Sequence, residues 1–177
     1  MIPELRVHLI GISGTGLSAI ARVLLERGCQ VSGSDLLLNA QASQLQAAGA
    51  RILIGHRAEN IQGADVVVRS SAVSDDNVEV MAAQAAGIPV LKRSEFLAQL
   101  IADQDSIAIA GSHGKTTTTA MLTWVLVALG LDPSYIIGGV SANLNTNAHA
   151  GQGQYFVIEA DEYDRMFLGL HPSLAVV

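Results

Sequence analysis

Residues 111–117, Gly111-Ser112-His113-Gly114-Lys115-Thr116-Thr117, follow directly on the short apolar run 107–110. Glycines let backbone N–H groups close around phosphate oxygens, a helix N-terminus adds partial positive charge, and a lysine supplies a full one. The hydroxyl after the lysine, Thr116, stands where such loops ligate Mg²⁺. The common spacing G-x-x-x-x-G-K-[ST] asks for glycine at Ile109, and the upstream glycine is Gly111 instead. The plain alternative is a strand–turn–helix with a surface lysine. The strand candidate 6–12 ends in a second glycine turn, 11–16, which contains Ser13, Gly14, Thr15 and Gly16. The dinucleotide fingerprint wants glycine where Ser13 stands, so a pyrophosphate cradle fits better than a nicotinamide site. A third stretch, 155–164, ends an apolar run in Glu159, Asp161, Glu162 and Asp164. Alternation puts Glu159 and Asp161 on one face while the strand persists. Carboxylates at the end of a strand beside a phosphate loop suit a Mg²⁺ ligand, for which Glu159 is the first choice, against a solvated acidic loop.

These residues need elements to position them. After the first glycine turn, Leu17, Ile20, Ala21, Leu24 and Leu25 share one helical face. Gly28 stops that helix, and a short strand at 30–33 leads to Ser34-Asp35, an acid about 20 residues beyond the turn. Helix, glycine and strand then recur: Gly49 precedes 51–54, Gly87 precedes 88–91 and Gly130 precedes 135–137, with a continuous apolar strand at 64–68. Asp75 or Asp76 is the expected cap of a helix over 78–86, and Ser94 of one over 95–102. Strands that are apolar throughout, alternating with helices, predict an α/β fold with a Rossmann-like doubly wound parallel sheet covered on both faces.

The polar stretch 103–105 separates a complete doubly wound unit, 1–104, from what reads as the first part of a second α/β domain that carries the P-loop, 105–177. The apolar run 174–177 reads as a strand with no partner in the chain, which implies a fragment. A formal charge of −6 argues against a general nucleic-acid-binding surface, so phosphates must be held by local cations. The single cysteine, Cys29, forms no intrachain disulfide, which points to a reduced, cytoplasmic setting. The longest apolar-rich run, 120–131, is shorter than the roughly 20 residues of a membrane span and reads as a buried helix.

With GISGTGLSAIA, VSGSD, SSAVSDDNVEV, PVLKRSEFLAQL, AGSHGKTTTTAM and EADEYD in this order over nearly the whole length, the sequence resembles the Mur ligase family. It departs from the family at Ser13, usually glycine, and at Ser112, usually threonine. Tyr163, often serine in the alanine-adding members, leans towards the recycling members that attach a tripeptide. LKRSEFL and HPSLAVV lean back towards alanine addition. The resemblance implies a UDP-sugar domain, a central ATPase domain present here in its first half, and a C-terminal domain absent from these residues. It implies ATP and Mg²⁺ as cofactors, and UDP-N-acetylmuramate and L-alanine as partners, joined by ATP-dependent amide formation. Ser13, Gly14, Thr15 and Gly16 would receive the UDP diphosphate, with Asp35, Ser70, Ser71 and Ala72 bordering the sugar-nucleotide cleft. Lys115 would hold the β- and γ-phosphates of ATP, Thr116 and Glu159 the Mg²⁺, and His113 would line the phosphate site. Arg93 is open between a substrate contact and a solvated helix-start arginine. By this reading the 177 residues bind the sugar nucleotide without turning over. Two readings from other classes stand beside it: a nicotinamide-dependent oxidoreductase, and a non-catalytic nucleotide sensor.

Overall fold

In the computed structural model, which describes residues 4–160 and 169–177, the first sheet is built around β1 (Arg6–Ile10). Around it lie β2 (Gln30–Asp35), β3 (Arg51–Ile54), β4 (Val66–Arg69) and β5 (Val90–Lys92) in the order β3-β2-β1-β4-β5. Every pairing is parallel. The strand order reverses between β1 and β4, and in open α/β sheets ligands bind outside the carboxyl ends of strands at that point.

The helices are α1 (Thr15–Glu26), α2 (Ala40–Ala47) and α3 (Val78–Ala85). Burying the apolar stripe drives α1 onto the sheet, with Leu17, Ile20, Ala21 and Leu24 at most 2% exposed. The glycine after α1 has a physical reason. Gly28 adopts φ +81°, its N–H bonds Leu25 O at 3.0 Å, and Cys29 N–H bonds Leu24 O at 3.0 Å. This paired closure satisfies helix-end carbonyls and turns the chain into the next strand. It recurs at Gly49, Gly87 and Gly130, so the punctuation seen in the sequence is one cap used four times.

α4 (Arg93–Ile101) follows β5. The chain divides into two compact units, Met1–Phe96 and Leu97–Val177. In the second unit, β6 (Asp105–Ile109), β7 (Ser134–Ser141), β8 (Thr146–His149), β9 (Tyr155–Glu159) and β10 (Leu174–Val176) form a sheet in the order β10-β6-β9-β7-β8. It is mixed, because β7 and β8 pair antiparallel. α5 (Lys115–Ala128) follows β6.

Four expectations change. The cap of α3 is Asn77, whose side chain accepts from Glu79 N–H, while Asp75 pairs with Arg69 at 2.5 Å. Asp76 takes the Ser74 hydroxyl instead. Ser94 lies inside α4, and the neighbouring Glu95 accepts from Lys92 N–H at 2.7 Å. α5 is not a buried helix: Met121 is 65%, Val125 51% and Leu129 68% exposed, and only Thr119, Thr123 and Leu126 of the helix are buried. Its apolar residues are spread around the helix rather than gathered into one stripe, so one sheet face cannot cover them all. The run at 174–177 does have a partner, since β10 pairs parallel to β6 with Leu174 opposite Ile107.

Candidate functional site

Each unit carries a glycine turn between its first strand and the helix that follows. In the first, Gly11 leaves β1 at φ +87° and donates to Ser34 O at 2.8 Å. The turn is then fastened to the end of β2. Ser13 N–H donates to Asp35 Oδ2 at 2.9 Å, and Ser13 Oγ donates to Leu37 O at 3.0 Å. Asn39 Nδ2 donates to Ser13 O at 2.9 Å. A side chain at position 13 is therefore accommodated, because its hydroxyl serves the loop after β2. Gly33 makes room beneath: a Cβ there would lie 2.5 Å from Ile12 Cδ1 and 2.7 Å from Leu9 O.

Gly14 caps α1 with extended backbone and no side-chain cap, and Ser18 N–H to Gly14 O at 2.9 Å is the first turn's closing bond. The N–H groups of Thr15, Gly16 and Leu17 precede that bond, as helix-start donors without an intrahelical partner. A Cβ on Gly16 would fall 2.0 Å from Arg93 Nη1, so the guanidinium lies directly over the turn. Arg93 has no ion-pair partner among the described residues. Across the reversal of strand order, Ser70 N–H donates to Ile10 O at 3.0 Å, and Ser70 Cβ is 3.0 Å from where a Cβ of Gly11 would stand. Ser71 and Ala72 are exposed in the turn that follows. Asp35, Ser70 and the glycine turn are thus brought together at one end of the sheet. Asp35 uses its carboxylate on the turn itself and on Leu36 N–H at 2.7 Å.

In the second unit, Gly111 and Gly114 take φ +136° and +80°, and Gly114 caps α5. A side chain at either would be strained, whereas glycine adopts both without cost. Lys115 Nζ folds across the loop to donate to Gly111 O at 2.7 Å. Ser112, His113 and Thr117 are exposed around it. Thr116 Oγ1 donates to Glu159 Oε2 at 3.2 Å, and Glu159 Oε1 accepts from Gly138 N–H at 2.6 Å. β9 places Glu159 there because its end is in register with Ile109, the last residue of β6. Asp161, Glu162, Tyr163 and Asp164 lie outside the described residues.

A hydroxyl and a carboxylate are hard oxygen donors, and a small divalent ion that keeps most of its waters suits such a pair next to phosphates. The sequence reading missed Gly138 and Gly139. A Cβ at Gly138 would stand 2.7 Å from Glu159 Oε2, and one at Gly139 3.6 Å from Thr116 Cγ2. Paired glycines inside an apolar strand are the signal that marks such a close approach. Beside Thr116 and Thr117 runs a groove of about 330 Å³, bordered by Met121, Trp124, Val140 and Asn143.

Residues 6–105 match the family model described as Mur ligase family, catalytic domain. The chain belongs to the Mur ligase family. Among curated Mur ligases it is similar to UDP-N-acetylmuramate–L-alanine ligase of Chlorobium phaeobacteroides (strain BS1), at 52% identity over 97% of this chain and 37% of that protein. It is equally similar, at 52% identity, to the enzyme of the same description from Magnetococcus marinus, over 100% of this chain and 37% of that one. The chain therefore spans little more than a third of the length of these relatives. Of solved Mur ligases, UDP-N-acetylmuramate-alanine ligase from Thermotoga maritima superposes with a TM-score of 0.88 at 31% identity, over 96% of this chain and 40% of that chain. UDP-N-acetylmuramate:L-alanyl-gamma-D-glutamyl-meso-diaminopimelate ligase from Neisseria meningitides gives a TM-score of 0.90 at 33% identity, over 97% and 59%. No described helix of this Mur ligase is long and apolar enough to cross a membrane.

Proposed function

We propose that the chain is part of a cytoplasmic UDP-N-acetylmuramate–L-alanine ligase of peptidoglycan synthesis. Residues 1–104 hold the sugar nucleotide, and residues 105–177 begin the ATP-binding domain. The supporting observation is 52% identity to alanine-adding ligases over nearly the whole chain, together with a glycine turn at a helix start in each unit.

In this reading the diphosphate of UDP-N-acetylmuramate sits at the start of α1, on Ser13, Gly14, Thr15 and Gly16 and beneath Arg93. Asp35, Ser70, Ser71 and Ala72 border the rest of the ligand. Gly111, Ser112, His113, Gly114 and Thr117 line the ATP phosphates, and Lys115 leaves Gly111 O to hold the β- and γ-phosphates. Thr116 and Glu159 would hold Mg²⁺, which when bound neutralises triphosphate charge so that an anionic nucleophile can approach. The lactyl carboxylate attacks the γ-phosphorus, ADP leaves, and an acyl phosphate forms. The neutral amine of L-alanine then attacks that carbonyl, and the tetrahedral intermediate expels phosphate and loses a proton. Phosphorylation is needed because a free carboxylate would have to expel oxide. The protein's share is positioning and charge stabilisation, so no side-chain nucleophile is required.

Calorimetric titration of the 177-residue chain tests the reading. UDP-N-acetylmuramate should bind and NADH should not, and Lys115→Ala should lose ATP while keeping the sugar nucleotide. Absence of heat with UDP-N-acetylmuramate from folded chain, or saturable binding of NADH, would overturn it.

A further inference from the structure

The amino ends of the first sheet, at the far end of the strands from the glycine turn, border an open cavity of about 460 Å³. β1, β2 and β3 begin there with Arg6, Gln30 and Arg51. In the register Arg6 lies opposite Gln30, His8 opposite Ser32, and Ser32 opposite Arg51. Register partners in parallel strands, and residues two apart along one strand, share a face of the sheet. Arg6, Gln30, Ser32 and Arg51 therefore line the cavity from one face, joined by Gln62 from the segment before β4. Leu25 and Ala48 add apolar wall.

Ser32 is anchored by a buried cluster. Its Oγ is 2.9 Å from His8 Nδ1, and His8 Nε2 is 3.0 Å from Oε2 of Glu79 on α3. His8 and Glu79 are both 0% exposed. Glu79 also accepts from Ser34 Oγ at 2.6 Å and Asn60 Nδ2 at 2.7 Å, and its Oε1 is 3.3 Å from His56 Nδ1. A buried network satisfied in this way is rigid, so the Ser32 edge of the cavity is set before any ligand arrives.

The charge at the cavity is one-sided. The chain carries 16 acids against 10 Lys and Arg, yet no Asp or Glu among the described residues lines this cavity. Asp65, one residue past the lining segment, engages Arg6 through Nε at 3.1 Å and Nη2 at 2.5 Å. Arg6 Nη1 stays outside that pair, 3.7 Å from where a Cβ of Gly63 would stand. Arg51 has no side-chain partner among the described residues. A guanidinium presents a planar fork of donors that matches carboxylate and phosphate oxygens. The side-chain amides of Gln30 and Gln62 add neutral donors beside it. The volume is that of a small-molecule site, and a lone oxyanion would leave most of it empty.

We infer that the amino ends of β1, β2 and β3 form a separate ligand site for a small organic anion. Arg51 and Nη1 of Arg6 hold its phosphate or carboxylate group, and its body rests on Leu25 and Ala48.

The test is amide NMR titration of the 177-residue chain with phenyl phosphate, benzoate and inorganic phosphate, followed at Gln30, Gly49 and Gly63. Phenyl phosphate or benzoate should shift these amides saturably with a Kd of about 1 mM, and the tighter of the two identifies the head group. Inorganic phosphate should bind there more weakly than phenyl phosphate, whereas equal affinity would mean an adventitious anion only. Arg51→Gln, a change at an exposed position, should weaken binding at these amides about tenfold, the scale of a lost charged contact, and leave shifts at Gly16 and Gly114 as in wild type. Asp65→Asn frees the whole Arg6 guanidinium and should tighten binding, a gain that damage to the fold would not produce. Shifts confined to the two glycine turns, or equal affinity in wild type and Arg51→Gln, would overturn the site. Unchanged affinity in Asp65→Asn would remove Arg6 from it.

Discussion

At the scale of single residues, the contact between Thr116 Oγ1 and Glu159 Oε2 joins the two oxygen donors proposed to hold Mg²⁺. Glu159→Gln keeps the shape and removes the charge. In that variant the gain in ATP affinity on adding Mg²⁺ should shrink by about tenfold or more, the scale of a lost charged contact, while Mg²⁺-free affinity stays put. Paired titrations with and without the metal read this directly. Gly138→Ala should give the same pattern from a neighbouring position, because its Cβ would stand 2.7 Å from Glu159 Oε2 and displace the carboxylate. Equal Mg²⁺ dependence in Gly138→Ala and wild type would show that the close approach is incidental.

At the scale of elements, capping decides where α3 begins. Asn77 accepts from Glu79 N–H, so Asn77→Ala should cost about 1 kcal/mol in urea denaturation, whereas Asp76→Ala should be near neutral. The cap matters beyond helix stability, since α3 delivers Glu79 to the buried cluster. Between β1 and β2, Gly33→Ala would press a methyl into Ile12 and Leu9 O, and should destabilise by about 1–3 kcal/mol as overpacking. A glycine in the VSGSD stretch is thus a packing requirement beneath the first turn.

For the molecule as a whole, two carboxylates held well below their ordinary range contribute to the response to acid. Burial pushes Glu79 up, and hydrogen bonds from His8, Ser34 and Asn60 outweigh it, leaving the group lowered from 4.5 to about 2. Asp65, hydrogen-bonded by Arg6, is likewise lowered from 3.8 to about 2. Both folded-state values lie below the unfolded ones, so their stabilisation is present above the unfolded values and is lost as pH falls towards 2. The urea midpoint should therefore drop between about pH 4.5 and 2. Glu79→Gln should be less stable at pH 7 and show a shallower acid decline. An identical slope in both proteins would mean that Glu79 does not contribute to the acid response.

The sequence by itself determined what local chemistry dictates. Glycine at a left-handed helix end, apolar spacing along α1 and the Gly-Lys-Thr run each act within a few residues, so the strand–turn–helix units and both glycine turns could be read from order alone. Asn77 against Asp76 could not be separated, because both types cap helices and only the chain's path selects between them. The tertiary structure alone decided the contacts made between distant segments. It set Glu159 against Thr116 through the register of β6 and β9, placed Arg93 over Gly16, and gathered His8, Ser34, His56 and Asn60 around Glu79. It also gave the last strand its partner and left much of α5 exposed. Those outcomes follow from strand pairing and helix packing across long separations, where the geometry of the assembled sheet, rather than any local pattern, chooses the neighbours.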